Sequence, residues 1–121
     1  MPVSHEYRDF ARELFAGLGP ISVKRMFGGA GLYQGSAMFG LIVDDEIYLK
    51  VDDDLRPAFE AEGSAPFSYE TKAGKRGVMS YYQLPPAALD DPDLALGWAE
   101  RALVPAREAA RLKAEKKAKK S

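Results

Sequence analysis

Residues 25–31 read RMFGGAG and run on as LYQGSAMFGLIV, so glycine crowds the kind of stretch that can close around a phosphate. The spacing rejects both common phosphate loops. Gly29, Gly31 and Gly35 form G-x-G-x-x-x-G, one residue too long for a dinucleotide fingerprint, and a strand-like segment follows where a helix is needed. Gly35 and Gly40 have the first spacing of a P-loop, but Leu41 and Ile42 stand where lysine and a hydroxyl would grip the phosphates. The glycines therefore predict a shape. Gly28, Gly29 and Gly31 suit a β-bulge or sharp bend in the first strand, and Gly40 suits a gap where an aromatic such as Phe27 lies flat.

Other chemistry-bearing residues also fall short of a site. His5 is the single histidine and sits in the first turn of an expected helix without an evident partner. No serine lies in G-x-S-x-G, which leaves a Ser–Lys pair as the one nucleophilic arrangement open. With no cysteine there is no disulfide, thiolate metal site or thiol nucleophile. Asp44-Asp45-Glu46 and Asp52-Asp53-Asp54 bracket a strand and so point to opposite ends of it; neither follows the alternating pattern of a calcium loop. A turn and a helix start, both of which favour Asp, account for them. No catalytic residue, cofactor or metal is expected, and the chain reads as non-enzymatic.

Charge gives a stronger signal. The formal net charge is −1, yet residues 107–121 carry seven Lys or Arg against two Glu, and the preceding body is acidic. Lys113, Lys116, Lys117, Lys119 and Lys120, with Arg107 and Arg111, form a basic tail able to neutralise phosphates of DNA or RNA. Lys72, Lys75 and Arg76 could assist from a loop. Phe67, Tyr69, Tyr81 and Tyr82 fall on adjacent strands, where exposed aromatics stack on single-stranded bases, but only one of Tyr81 and Tyr82 can face solvent.

The elements that position these residues follow from periodicity. Ser4 can cap a helix to Leu18, with Tyr7, Phe10, Ala11, Leu14 and Phe15 on one face. VKRMF, GLYQ, AMFGLIV and EIYLKV are strand-like, with tight turns at Gly35-Ser36 and Asp44-Asp45, and predict three antiparallel strands in hairpin order. The aspartates at 52–54 begin a short helix closed by Gly63; FSYET and GVMSYYQL add two strands. Asp91 caps a last helix with Pro92 in its first turn, and Pro105 kinks or restarts it. The prediction is one α+β domain, helix–three strands–helix–two strands–helix, with helices packed on an antiparallel sheet over residues 1–106, and a basic helical tail over 107–121. No signal peptide or membrane-spanning run is present, so a cytoplasmic protein is expected.

Taken together, VKRMFGGAGLYQGSAMFGLIVDDEIYLKVDD, PFSY, GKRGVMSYYQLP and LGWAERA resemble the TfoX N-terminal domain family from about Val23 to Arg101. The resemblance implies a small α+β domain of the secretion-chaperone-like type. The family's named member is a bacterial regulator of competence for DNA uptake that carries a second, C-terminal domain; the basic tail ending at Ser121 leads us to expect no second domain here. The family supplies no catalytic residues to carry over. The expected role is a regulatory module that contacts another protein, or a second copy of itself, through Arg25, Met26, Phe27, Gly28 and Gly29 with Tyr81 and Tyr82, the glycine gap admitting the other chain. Nucleic-acid binding through the tail is the alternative.

Overall fold

The structure is a computed structural model that describes residues 5–26, 29–70 and 76–119. Helix α1 (His5–Leu14) is followed by a 3-10 turn at Ala16–Leu18, strands β1 (Ser22–Met26), β2 (Gly29–Gln34), β3 (Ala37–Val43) and β4 (Glu46–Lys50), and helix α2 (Arg56–Ala61). Strands β5 (Pro66–Glu70) and β6 (Arg76–Gln83), a 3-10 turn at Pro86–Asp90 and helix α3 (Pro92–Lys119) complete it. The α+β class is as expected: one antiparallel sheet in the order β1-β2-β3-β4-β6-β5, with helices packed on it.

One element differs from expectation. The glycine stretch is not a bulge inside a single first strand. Met26 lies opposite Gly29 and Ser22 opposite Tyr33, so the chain reverses between Met26 and Gly29 and the sheet has six strands where five were expected. The bulge lies elsewhere: Leu32 pairs with Gly40 and Tyr33 with Met38, leaving Phe39 as the extra residue of β3. That extra residue lets Phe39 and Ile42, an odd and an even position, both reach the core.

Close packing accounts for two glycines. A Cβ on Gly29 would run into the backbone carbonyl of Ile42 on β3, and one on Gly40 would stand 2.8 Å from the Tyr48 carbonyl oxygen and 3.2 Å from Leu32 Cδ1. Leu32 and Leu49 fill the space over Gly40, where an aromatic was expected; Phe27 and Gly28 lie outside the described residues. The two expected turns are present. Gly35 has φ +61°, and Asp44 and Asp45 have φ +52° and +56°, the paired positive angles of a type I′ hairpin.

Helix α1 ends at Leu14 where a helix to Leu18 was expected, a 3-10 turn taking over at Ala16–Leu18, and α2 begins at Arg56, after the three aspartates. Asp52 Oδ1 accepts from the Leu55 N–H at 2.8 Å ahead of α2, and Asp91 Oδ1 accepts from Asp93 and Leu94 at 3.0 and 3.3 Å to cap α3. Ser4 lies outside the described residues. Helix α3 continues without interruption through Pro105. Proline there removes one backbone bond, and the burial of Ala102, Leu103 and Ala106 against the sheet holds both halves in place.

The core lies between the helices and one sheet face. Phe15 and Phe39 meet edge-to-face with ring centroids 5.6 Å apart, and Phe59 of α2 stands 4.7 Å from Trp98 of α3. Along α3 the core face is almost all alanine (Ala95, Ala99, Ala102 and Ala106), which brings the helix axis close to the strands.

Candidate functional site

Paired residues on adjacent strands share a face, so the β4–β6 register sorts the aromatic side chains. Leu49 lies opposite Tyr82 and Lys50 opposite Tyr81. Tyr82 belongs to the core: its ring is 6.3 Å from Phe59 and its hydroxyl donates to Glu60 Oε2 at 3.2 Å. Tyr81 points to the opposite face. Yet Tyr81 is only 4% exposed and Tyr82 7%, so both rings are largely shielded.

What shields Tyr81 also makes a site. The second half of α3 runs past the ends of β3 and β4, tied there by Arg107, which donates to Gln34 Oε1 at 2.6 Å. Gln34 in turn donates to the Leu18 carbonyl at 2.9 Å, so helix, hairpin end and 3-10 turn are joined in one chain of hydrogen bonds. Between helix and sheet is a groove of about 280 Å³. Tyr33, Met38, Lys50 and Tyr81 form its sheet side, and Ala106, Ala109, Ala110 and Lys113 its helix side. The alanines leave that wall low and flat.

Its electrostatics are one-sided. Lys50 Nζ lies 5.0 Å from the Tyr81 ring centroid, a cation–π contact that keeps the ammonium at the groove. Lys24 is similarly placed over Tyr33 at 4.8 Å. No carboxylate is among the described residues lining the groove, and neither Lys50 nor Lys113 forms an ion pair among the described residues. Burial first, then the neighbouring Tyr33, pushes Tyr81 up to about 12, so its hydroxyl remains a neutral donor. A second hollow, about 480 Å³, shares Lys50 and Ala109 but is bordered by Asp52, Asp53 and Glu108. The two hollows thus differ in charge.

The other expected site residues are dispersed. Arg25 is exposed on β1, which among the described residues is an edge strand paired with β2 alone. Gly29 is buried between β1 and β3, so the gap expected to admit another chain is already filled by Ile42 of this one. The side chain of Met26 lies outside the described residues. Lys113 lines the groove and Lys116 is exposed on α3. Lys117 and Lys119 fall within α3, their side chains outside the described residues, as are Lys72, Lys75 and Lys120 entirely. Arg111 holds both tail glutamates, Glu108 and Glu115, with its pair to Glu115 at 2.6 Å. Sequence reasoning had not singled out Lys50, Tyr33 or Met38 as site residues. His5 is exposed at the start of α1.

Fold and groove together define a small helix-backed antiparallel-sheet module with a positively charged cleft beside its last helix. The chain matches the TfoX N-terminal domain family over residues 13–106, and it belongs to that family. It is also similar to the DNA transformation protein TfoX1 of Aliivibrio fischeri (strain ATCC 700601 / ES114), 34% identical over 55 residues. That match covers 46% of this chain and 26% of the relative, so the similarity spans about a quarter of the relative's length. Among the described residues, no helix is long and apolar enough to cross a membrane.

Proposed function

We propose that this chain is a non-enzymatic regulatory module of the competence-regulator type that works by binding another protein along the free edge of β1. The family and the name of the DNA transformation relative support the regulatory class. The observation that carries the mechanism is the edge itself. Among the described residues β1 pairs with β2 on one side only, which leaves the backbone N–H and C=O groups of its other side to an added strand. Lys24 and Arg25 are both exposed on the strand, Lys24 lying over the Tyr33 ring. An extended segment with an acidic residue fits this edge by backbone pairing and a single ion pair.

The test is a pull-down and titration with candidate partners, comparing the intact protein with Arg25→Ala and Lys24→Pro. Lys24→Pro removes a backbone donor from β1. Reduced binding by both, with unchanged folding by circular dichroism, supports the edge; full binding by both removes it.

A second reading, contact with nucleic acid through the tail, is favoured by one arrangement. Arg111 engages both tail glutamates, and among the described residues neither Lys113 nor Lys116 forms an ion pair with them. Binding to labelled DNA that falls steeply with salt in the full chain, and is lost on truncation after Ala106, distinguishes it from the edge mechanism.

A further inference from the structure

We propose that the groove between α3 and the sheet is a binding site for a flat ring bearing a phosphate, a ligand the size of one nucleotide. This stands independently of the β1 edge. Three features carry it.

The first is charge. Lys50 from the sheet and Lys113 from the helix approach one cleft from opposite walls, with no lining carboxylate among the described residues, in a body that is otherwise acidic. Two ammonium groups without counter-ions repel each other, and an anion between them relieves that repulsion while gaining charge-assisted hydrogen bonds. In the adjoining hollow Asp52, Asp53 and Glu108 outnumber the cations, so an anion is directed to this groove and away from that one.

The second is shape. The helix wall consists of the methyl groups of Ala106, Ala109 and Ala110, and the sheet wall holds the side chains of Tyr33, Met38 and Tyr81. A slot with a low apolar wall on one side and aromatic and thioether groups on the other suits a planar ring. Its volume, about 280 Å³, is at the lower end of small-molecule sites and fits a single nucleotide better than a dinucleotide.

The third is hydrogen bonding. Ser36 and the tyrosines supply neutral hydroxyls at the rim and sheet wall, able to reach the polar edge of a base or a sugar. Together the cations select a phosphate, the walls select a ring, and the hydroxyls orient it.

The same chemistry is offered by a free nucleotide and by one residue of a single strand, and the experiment separates them. Adenosine monophosphate, adenosine, inorganic phosphate and a short oligodeoxyadenylate are titrated into the isotopically labelled full chain at low salt, following amide resonances. The expected result is a shift centred on Tyr33, Lys50, Tyr81 and Ala109, with the monophosphate binding more tightly than adenosine or phosphate alone. Lys50→Gln with Lys113→Gln, and separately the groove-filling Ala109→Trp, should each weaken binding roughly tenfold or more. Lys116→Gln, outside the groove, should leave it unchanged. Lys113 and Ala109 are exposed, so folding of their variants is verified by the unchanged spectrum elsewhere. Tighter binding of the oligonucleotide that is lost in the same variants assigns the ligand to a single strand; equal binding assigns it to free nucleotide. No shift with millimolar monophosphate, an equal response to phosphate alone, or affinity untouched by the groove variants would overturn the proposal.

Discussion

Gly29 on β2 and Ile42 on β3 approach so closely that the Ile42 carbonyl oxygen occupies the place a side chain on Gly29 would need. The obstacle is backbone inside a six-stranded sheet, so it cannot swing aside as a side chain tip can. Gly29 has no positive φ, and its requirement is therefore purely one of space.

Gly29→Ala should destabilise the protein by about 2 kcal/mol or more, or prevent folding, through overpacking of β2 against β3. Gly35→Ala is the comparison. Gly35 has φ +61° with open space around it, so alanine there costs only local backbone strain, about 1 kcal/mol. Urea denaturation of both variants checks the order; a Gly29→Ala protein as stable as the parent would refute the packing argument.

Phe59 joins α2 to α3 and β6, touching both Trp98 and Tyr82 while fully buried. Phe59→Ala should cost about 3–5 kcal/mol in unfolding free energy. Tyr82→Phe keeps the ring and removes only the hydrogen bond to Glu60, so its cost should remain near 1 kcal/mol. Chemical denaturation of the pair separates ring packing from the hydroxyl.

Asp91 is the side-chain cap of the 28-residue helix α3. Asp91→Ala should lower stability by roughly 0.5–2 kcal/mol, and Asp91→Asn should restore most of it, because the amide oxygen can accept the same bonds. Thermal unfolding with recovery in the asparagine variant identifies a cap; equal loss in both would point to charge instead.

Stability should fall at alkaline pH. Burial pushes Tyr81 up to about 12, and burial followed by the hydrogen bond to Glu46 does the same for Tyr48. Tyr82 is raised in the same direction, again by burial first. The unfolded chain releases these protons near pH 10 while the folded chain retains them, so between pH 10 and 12 the unfolded state binds fewer protons. The stabilisation is complete below pH 10 and is lost as pH rises through 12, on the order of 2 kcal/mol for Tyr81 alone. Urea midpoints from pH 8 to 12 measure this; Tyr81→Phe should flatten part of the decline.

Local chemistry was legible in the sequence. Asp52, Asp91 and Pro92 marked two helix starts, and Gly35-Ser36 and Asp44-Asp45 marked two hairpins, because caps and tight turns are set by a few neighbouring residues. The α+β class followed from the order of periodicities, and the family from RMFGG, MFG, LKVD and MSYY in sequence. Three matters needed the tertiary structure. The reversal between Met26 and Gly29 was hidden because glycines signal a bend without saying how far the chain turns, and only the pairing of Ser22 with Tyr33 makes it a complete hairpin. Tyr81 and Tyr82 alternate as any strand residues do, yet both are buried: Tyr82 under α2, Tyr81 on the opposite face beside the second half of α3. The groove itself could not be read from local pattern, since Lys50, Tyr81 and Lys113 are far apart along the chain. They meet because α3 stays helical past Pro105, held by alanines packed on the strands, and so carries its lysine back to the sheet.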